Sequence, residues 1–378
     1  MKIAIFISSL AGGGAEKVAV ILANEIARLG HQLHLVVGTN LPEKFESEVS
    51  QDVHLVKLEA SRLINSVPKF ANFIKVTQPE VVLAIMDTAS IIAKFSIILS
   101  GQHKTRLYVR EAISNEFKQD NPKETGSAFV KLLAAWTYNN ANGIVSPSSD
   151  LALSIALKFP RQKNIRHINN PVVTRSFAQQ VNENSFISPW EKDAKIILSV
   201  GRLSEQKDFL TLLEAFRRLR EKADYKLMIL GEGPERSSLM NFISANELDA
   251  HCHLPGFISN PLPYMKHADL FVLASRYEGL PNALIQALAC GATIVSTDCP
   301  TGPAEILENG KIGRLVPVGD PESLSIAMEQ SLDPSASSPT RQQAIAERTL
   351  NTFDATQVAK EFIEFLQNGS CGDETMTN

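Results

Sequence analysis

The sequence is poor in the residues that cross-link small extracellular domains or hold structural metals. Four cysteines occur in 378 residues, Cys252, Cys290, Cys299 and Cys371, and none has Cys-x-x-Cys spacing. Two histidines flank Cys252, but no second ligand pair follows at zinc-finger spacing. These absences argue against a disulfide framework and against a structural zinc site.

Long apolar runs are also missing. The longest stretches, 81–86 and 90–99, are broken by Asp87 and Lys94, and neither approaches the ~20 residues of a membrane span. The N-terminus carries one lysine before a short apolar run, without the cleavage site of a signal peptide. With 21% charged residues, the composition is typical of a globular protein, and we expect it in the cytoplasm, either free or peripheral on the inner face of the cytoplasmic membrane.

The net charge of −4 is divided unevenly along the chain. Residues 1–180 carry +6 and the remainder carries −10. Arg62, Lys69 and Lys75 lie on a segment with an apolar stripe of helical spacing, formed by Leu63, Val67, Phe70 and Ile74. This segment suits either docking to an anionic membrane surface or an ordinary solvated helix face. Nucleic acid is not an expected partner, because no basic run is interleaved with aromatic residues.

Strand-like and helix-like segments alternate through both halves of the chain, which predicts two doubly wound, Rossmann-like parallel α/β domains. The predicted strands start near residues 3, 33, 53, 81, 106, 143 and 165, and then near 195, 225, 251, 269, 293 and 313. The predicted parts are an N-terminal domain over 1–170, a linker region over 171–193, a C-terminal domain over 194–350, a final helix over 351–367 and a disordered tail over 368–378.

A glycine-rich turn, Gly12-Gly13-Gly14, separates the first strand from the first helix. Its backbone suits close approach to a phosphate or a sugar. It is not a dinucleotide fingerprint, since the third glycine of that motif would fall on Lys17 and the second strand ends without an acid. No Gly-Lys-Ser/Thr sequence occurs either. A dehydrogenase and a P-loop kinase are therefore disfavoured.

Two loops of the second domain carry the polar residues expected at a phosphate site. Arg202 and Lys207 follow the strand that ends at Val200, beside Gly201, and suit a clamp on a diphosphate. The stretch Ser275–Gly291 predicts a loop and a helix N-terminus after another strand, with Glu278 and Gln286 eight residues apart. The alternative is that these are ordinary solvated side chains.

These residues carry a resemblance to the retaining glycosyltransferases of family 4 with the GT-B architecture, especially to members that build lipopolysaccharide and other surface glycans. The resemblance spans nearly the whole chain and is strongest in the second half. Its motifs are 12–16, 170–172, 200–203, 229–234, 254–257, 275–291, 297–307 and 315–320.

The resemblance implies two domains facing across a cleft, with a nucleoside-diphosphate sugar, expected to be a UDP-sugar, held mainly by the second domain and an acceptor held mainly by the first. It also implies that the final helix, 351–367, crosses back to the first domain. Arg202 and Lys207 would hold the diphosphate, and Glu278 would contact sugar hydroxyls. The further donor-binding positions are Gly13, Gly14, Gly201, Phe257, Ile258, Gly279, Leu280, Pro281, Asn282 and Gln286. Relatives usually have glutamate where this chain has Gln286, so ribose recognition is expected to be weaker.

The expected reaction is transfer of a hexosyl or N-acetylhexosaminyl group to a glycan or lipid-linked acceptor. Fixed cations and N–H dipoles would stabilise the leaving diphosphate, and because no Asp-x-Asp occurs, no metal or other cofactor is expected. Asp87, Arg110 and Glu111 follow strands of the first domain and are candidate acceptor contacts, or else caps and turns. The alternative functions are a non-catalytic glycosyltransferase-like binding partner and a GT-B sugar-nucleotide epimerase.

Overall fold

The computed structural model describes residues 1–41, 44–112, 128–191, 193–333, 335 and 338–368. The chain forms two compact units. The first consists of Met1–Val172 with Asp354–Asn378, and the second of Val173–Phe353.

Thirteen strands and fourteen α-helices occur in the described residues. The strands are β1 (Lys2–Ile7), β2 (Gln32–Thr39), β3 (His54–Ala60), β4 (Val81–Ile85), β5 (Arg106–Arg110), β6 (Gly143–Ser146), β7 (Ile165–His167), β8 (Lys195–Val200), β9 (Tyr225–Leu230), β10 (Cys252–Gly256), β11 (Leu270–Leu273), β12 (Ile294–Thr297) and β13 (Arg314–Val316). The helices are α1 (Gly14–Arg28), α2 (Val67–Thr77), α3 (Asp87–Ser100), α4 (Ala128–Asn139), α5 (Ser149–Lys158), α6 (Phe177–Val181), α7 (Phe209–Arg220), α8 (Arg236–Ala245), α9 (Leu262–His267), α10 (Asn282–Ala289), α11 (Pro303–Ile306), α12 (Pro321–Leu332), α13 (Pro339–Thr352) and α14 (Ala355–Asn368).

Both sheets are parallel and doubly wound, which confirms the predicted fold class. The first sheet has the strand order β3-β2-β1-β4-β5-β6-β7, and the second has the order β10-β9-β8-β11-β12-β13. In each unit the chain reverses its direction of winding once, between β1 and β4 in the first and between β8 and β11 in the second. In parallel sheets of this kind, ligands bind beyond the carboxyl ends of the strands at that point.

The central strands are apolar along their whole length because helices cover both faces of each sheet. In the first unit, β1 is buried from Ile3 to Ile7, and α14 packs its apolar face into the same core through Phe362 and Leu366. In the second unit, α7 buries Leu212 and Phe216 against the sheet. The final helix of the chain is therefore part of the first unit's core.

Part of the segment predicted as a linker, 171–193, is helical. It contains α6, whose Phe177 is buried, and the ring of Phe186 stacks on His267 of α9 with centroids 4.6 Å apart. These aromatic anchors are spaced outside any helical or strand period, so periodicity alone missed them. The segment from Val173 onward belongs to the second unit.

Helix α2 has the predicted apolar face, since Phe70 and Ile74 are buried. The Lys69 ammonium on the same helix donates to the carbonyl oxygen of Leu58 at 2.7 Å. The predicted disordered tail lies outside the described residues, apart from Asn368 at the end of α14. Within the described ranges, every helix is too short or too polar to span a membrane.

Candidate functional site

The switch point of the second sheet lies between β8 and β11. The chain leaves β8 toward β9 on one side, and it leaves β11 toward β12 on the other, so the loops after β8 and β11 diverge and leave a crevice between them. Residues 201–208 form the first of these loops and residues 274–281 form the second. Every residue predicted to touch the donor's diphosphate or sugar in this unit lies on these loops or on the helices that follow them.

The loop after β8 is held in place by the end of β9 and the loop that follows it. The N–H of Gly201 donates to the carbonyl of Leu230 at 3.0 Å. Gly231 has a φ of +149°, and a Cβ at this position would lie 1.8 Å from the carbonyl oxygen of Gly201. Only glycine permits this approach. The glycine motif after β9 thus fixes the backbone on which Arg202 and Lys207 sit.

An ion pair joins the two loops across the switch point. The Lys207 ammonium lies 2.5 Å from the Glu278 carboxylate, with 17% and 6% of the two side chains exposed. The same Glu278 oxygen accepts a hydrogen bond from the hydroxyl of Ser275 at 2.6 Å. Because each charge is nearly removed from water, each depends on the other. The pairing brings together two of the three predicted catalytic residues.

A second set of contacts runs parallel to this ion pair. The amide of Gln206 donates to the carbonyl of Tyr277 at 2.9 Å, and the N–H of Arg276 donates to the carbonyl of Gln206 at 2.8 Å. The Arg276 guanidinium also lies 3.1 Å from the carboxylate of Asp208, which caps the N-terminus of α7. The two loops are therefore joined by backbone, amide and charged contacts, which fixes their spacing.

Burial raises the pKa of Glu235, which begins the turn into α8, and the nearby carboxylates of Glu205 and Asp208 raise it further. The Arg276 guanidinium opposes this shift.

The loop after β12 supports Glu278 from the other side. The hydroxyl of Thr301 donates to the carbonyl of Glu278, and the N–H of Glu278 donates to the carbonyl of Pro300 at 3.4 Å. Gly302 has a φ of +89°, and a Cβ there would lie 2.8 Å from Cδ of Pro281 and 2.9 Å from the carbonyl oxygen of Gly279. The motif 297–307 therefore acts as a buttress for the loop that carries Glu278.

Helix α10 begins one residue later than the sequence indicated. Pro281 was expected within the first turn, but it is extended, with ψ of 102°, and caps the helix from outside, so that Asn282 is the first helical residue. The N–H groups of Leu284 and Ile285 both donate to the carbonyl of Pro281. The amides before them lie at the positive end of the helix dipole, next to Gly279 and Leu280 of the loop.

Gln286 lies in the second turn of α10 and is half-buried. In the described part of the chain, its side-chain amide has no hydrogen-bond partner. Its backbone carbonyl accepts from the backbone N–H of Cys290 at 3.0 Å. Burial raises the pKa of the Cys290 thiol to about 12, so this cysteine is a neutral packing residue. The Gln286 amide therefore keeps its full donor and acceptor capacity.

Arg202, Phe257 and Ile258 occupy more open positions. Arg202 is exposed, and its guanidinium has no hydrogen-bond partner in the ranges that the structure describes. Phe257 follows the carboxyl end of β10 with 42% of its surface exposed, and Ile258 is half-buried beside it. Since Lys207 is paired with Glu278, Arg202 is the predicted clamp residue whose charge is not already balanced.

The switch point of the first sheet carries the glycine-rich turn and Asp87. Gly13 caps the N-terminus of α1, Gly14 is its first residue, and the turn follows β1. Asp87 follows β4 and begins α3, where its carboxylate accepts the N–H of Thr88 at 2.7 Å. The preceding Met86 has a φ of +74°, which costs on the order of 1 kcal/mol for a residue with a side chain. A strained strand end therefore presents Asp87, whose carboxylate is held by a backbone amide of the first turn of α3.

Arg110 and Glu111 form a buried polar cluster at the end of β5. The Arg110 guanidinium donates to the side-chain oxygen of Asn170 at 2.5 Å, while its Nε and Nη1 atoms have no hydrogen-bond partner. Burial lowers the pKa of Arg110 to about 10, and Glu111 opposes that shift. Tyr138 donates its hydroxyl to the Glu111 carboxylate, and burial together with this carboxylate raises the pKa of Tyr138. Arg110 is thus enclosed by the first unit in this conformation, and its guanidinium is not exposed for contact with an acceptor.

The residues that sequence reasoning missed are those that hold the predicted ones. Ser275, Thr301 and Gln206 each bond to the Glu278 loop. Ser275 is the first residue of the predicted stretch Ser275–Gly291, so its position at the strand end could have indicated it. Gln206 and Thr301 lie on other loops, and no spacing in the sequence distinguishes them. Over the described residues, no group of three or more His, Cys, Asp or Glu side chains is arranged to hold a metal ion.

Two family models match the chain. Residues 12–176 match the model described as Glycosyltransferase Family 4, and residues 180–349 match the model described as Glycosyl transferases group 1. The chain is 27% identical to the N-acetylgalactosamine-N,N'-diacetylbacillosaminyl-diphospho-undecaprenol 4-alpha-N-acetylgalactosaminyltransferase of Campylobacter jejuni, over 97% of this chain and 99% of that protein. It is also 27% identical to the lipopolysaccharide core biosynthesis glycosyltransferase LpsE of Rhizobium meliloti, over 84% of this chain and 85% of that protein.

Among solved structures, HepE of Anabaena in complex with UDP superposes with a TM-score of 0.77 at 17% identity, covering 97% of this chain and 100% of that one. Two doubly wound parallel sheets of this kind define the GT-B architecture. Together with the two family models, they establish that the chain belongs to the GT-B glycosyltransferases of the family 4 type. The predicted resemblance is confirmed.

Proposed function

We propose that this glycosyltransferase transfers a sugar, with retention of configuration, from a UDP-sugar to a glycan or lipid-linked acceptor in the synthesis of a surface polysaccharide or lipopolysaccharide. The observation that carries the proposal is the Lys207–Glu278 ion pair across the β8/β11 switch point, flanked by the exposed Arg202 and the N-terminus of α10. The named relatives support the acceptor class, and the UDP bound to HepE supports the nucleotide.

The ion pair suggests how the donor is held. A diphosphate entering the crevice would meet Arg202 as a planar fork and Lys207 as a point charge, with helix amides on a third side. Glu278 would fix the Lys207 ammonium at the crevice and leave its second carboxylate oxygen for sugar hydroxyls. Negative charge builds on the diphosphate as the sugar departs, so these positive groups stabilise the transition state more than the ground state.

The proposed scheme also states which group takes the acceptor's proton and which residue contacts the acceptor. In the proposed reaction the acceptor hydroxyl attacks from the side of the leaving group, and a donor phosphate oxygen takes its proton, so no protein nucleophile is needed. Asp87 at the strained end of β4 is our candidate for an acceptor contact, and Glu111 and Arg110 would position the wall behind it. No metal takes part in this scheme.

The test is incubation with a panel of nucleotide sugars, measuring the released nucleoside diphosphate with and without a lipid-linked acceptor. We expect release from one UDP-sugar, dependent on acceptor and unchanged by a chelator. Activity that a chelator abolishes and manganese restores would contradict the metal-free scheme. Absence of release from every donor with every acceptor would favour a non-catalytic binding protein.

The Arg202→Ala variant tests whether Arg202 binds the diphosphate or only adds positive charge to the protein. Removing a donor to developing negative charge slows transfer by ~100-fold or more. The matched control is Arg314→Ala, which removes an exposed arginine at the first residue of β13, the edge strand of the same sheet. Equal rates for both variants would remove Arg202 from the proposed mechanism.

A further inference from the structure

Helices α3 and α4 of the first unit expose an unusual set of large apolar side chains. The α3–α4 face consists of Phe95, Ile98 and Leu99 on α3 and Phe129, Leu132 and Trp136 on α4, with exposed fractions from 37% to 69%. Three of the four exposed positions on α3 are large and apolar, the fourth being Thr88. A helix that only faced water would carry polar residues there.

The two sets form one surface. The rings of Phe95 and Trp136 lie 5.9 Å apart at their centroids, so the apolar side chains of the two helices meet. The Lys94 ammonium lies 5.6 Å from the Trp136 ring and donates to the carbonyl of Asn140 at 3.0 Å. The exposed apolar area is on the order of 500 Å², which is at the upper end of what soluble monomers show and typical of interaction sites.

On the described residues of α3 and α4, the charged side chains beside the apolar ones are lysines. Helix α4 has no acidic residue, and the single acid of α3 is Asp87 at its first position, far from the apolar side chains. Lys131 is exposed between Phe129 and Leu132, and Lys104 is exposed just after α3. Helix α2 packs beside α3 and adds the exposed Lys75. An apolar face bordered by lysines complements a surface with an apolar interior and an anionic boundary.

The residue types fit the same surface. Tryptophan places its apolar ring in the hydrocarbon and its N–H at the boundary, which is why it concentrates at membrane interfaces. Lysine beside it extends its ammonium toward the head groups while its methylenes remain apolar. A second protein would equally cover apolar residues, but it would not explain why the charged side chains beside them, among the described residues, are lysines.

We infer that the α3–α4 face docks on an anionic lipid bilayer. The inference rests on the proposed function, because a lipid-linked acceptor lies in a bilayer, and it replaces α2 alone with the α3–α4 face as the main contact. Charge brings the chain to the surface, and burial of the six apolar side chains holds it there. Docking leaves donor binding by the second unit unchanged.

The first test uses the two tryptophans as internal reporter and control. In a Trp190→Phe variant, emission comes from Trp136 alone, and vesicles of phosphatidylcholine and phosphatidylglycerol should shift it to shorter wavelength. Brominated lipids should quench it. In the Trp136→Phe variant the remaining Trp190, which donates to the carbonyl of Ala250 in the second unit, should respond to neither. Unchanged Trp136 emission at saturating vesicles would overturn the inference.

The second test separates this face from general hydrophobicity. Phe129→Gln with Leu132→Gln should lower vesicle binding at least 10-fold in a sedimentation assay. The control is Ile187→Gln with Ile326→Gln, two apolar side chains of the second unit that are 73% and 45% exposed. Both pairs are exposed, so both variants should fold and unfold at the temperature of the wild type. Equal losses in both, or none in the first, would overturn the inference.

Failure of docking and failure of the proposed function give different results. If docking alone is wrong, transfer to a short water-soluble acceptor proceeds but vesicles do not bind the protein. If the transfer reaction alone is wrong, vesicles bind through Phe129 and Leu132 although no donor is consumed. Concentration-dependent dimerisation that the α4 substitutions abolish, without vesicle binding, would assign the face to a second copy of the chain and overturn the membrane assignment.

Discussion

The ion pair between Lys207 and Glu278 predicts a large energetic coupling between the two side chains. Lys207→Ala removes the charged partner of a Glu278 residue that is 5% exposed in the wild type, and leaves the Ser275 hydroxyl as the remaining side-chain donor to its carboxylate. Removing one partner of a buried pair costs ~3–5 kcal/mol, and the partial exposure of Lys207 together with the Ser275 bond brings our expectation to about 2–3 kcal/mol. Glu278→Ala should cost less, about 1–2 kcal/mol, because the flexible Lys207 side chain has a path to water.

The double substitution is expected to cost less than the sum of the two single ones, by about 1–2 kcal/mol, since no charge is left stranded. The free energy of unfolding would be measured by urea titration in a Trp136→Phe background, so that Trp190 reports the second unit. The control cycle uses Lys222 and Glu329, an ion pair of the same unit with side chains 54% and 41% exposed, where coupling should stay below about 0.5 kcal/mol. A Lys207–Glu278 coupling no larger than this control would refute the reasoning.

The same variants separate stability from chemistry. Lys207→Ala and Glu278→Ala should each slow transfer by ~100-fold or more, and the double variant should regain stability without regaining transfer. Recovery of transfer in the double variant would mean that the pair only supports the fold.

Gln286→Glu should keep or tighten affinity for the nucleoside diphosphate by up to about 1 kcal/mol, because hydrogen bonds to a charged group are stronger, whereas Gln286→Ala should weaken it. Calorimetry decides this, and equal binding by the glutamine and alanine forms would show that the side chain does not touch ribose. Gly302→Ala and Gly291→Ala both place a side chain at left-handed φ, at +89° and +81°, which costs ~1 kcal/mol. Only at Gly302 would the new Cβ displace the Glu278 loop, so only that variant should lose nucleotide affinity, and equal losses in both would contradict the buttress. Burial lowers the pKa of His34 below its ordinary 6.5, and the adjacent His54 lowers it further. Below pH 6.5 the unfolded chain therefore binds a proton that the folded chain resists, so stability should fall as the pH drops from 6.5 toward the folded pKa. Thermal unfolding of His34→Leu should depend less on pH over that window than the wild type, and identical profiles would contradict this assignment.

The sequence by itself determined the fold class and placed the loops predicted to bind the donor at the ends of strands. Runs of strand length such as Val81–Ile85 are apolar throughout because both faces of a parallel sheet are covered, and this pattern is visible without coordinates. The loops with Arg202 and Glu278 could be placed at carboxyl ends because strand direction follows from the alternation of strands and helices. The family resemblance rested on these loops together with motifs along both halves of the chain, and the two family models confirm it.

Only the tertiary structure decided which side chains meet. Lys207 and Glu278 are 71 residues apart, and their contact depends on β8 and β11 being neighbours in the sheet, which no local period encodes. Burial was also decided only by the tertiary structure. Nothing in the local sequence around Arg110 and Phe129 shows that the arginine is buried and the phenylalanine exposed. Local sequence fixes the elements through dihedral preference and hydrophobic period, whereas burial and pairing depend on how distant elements pack.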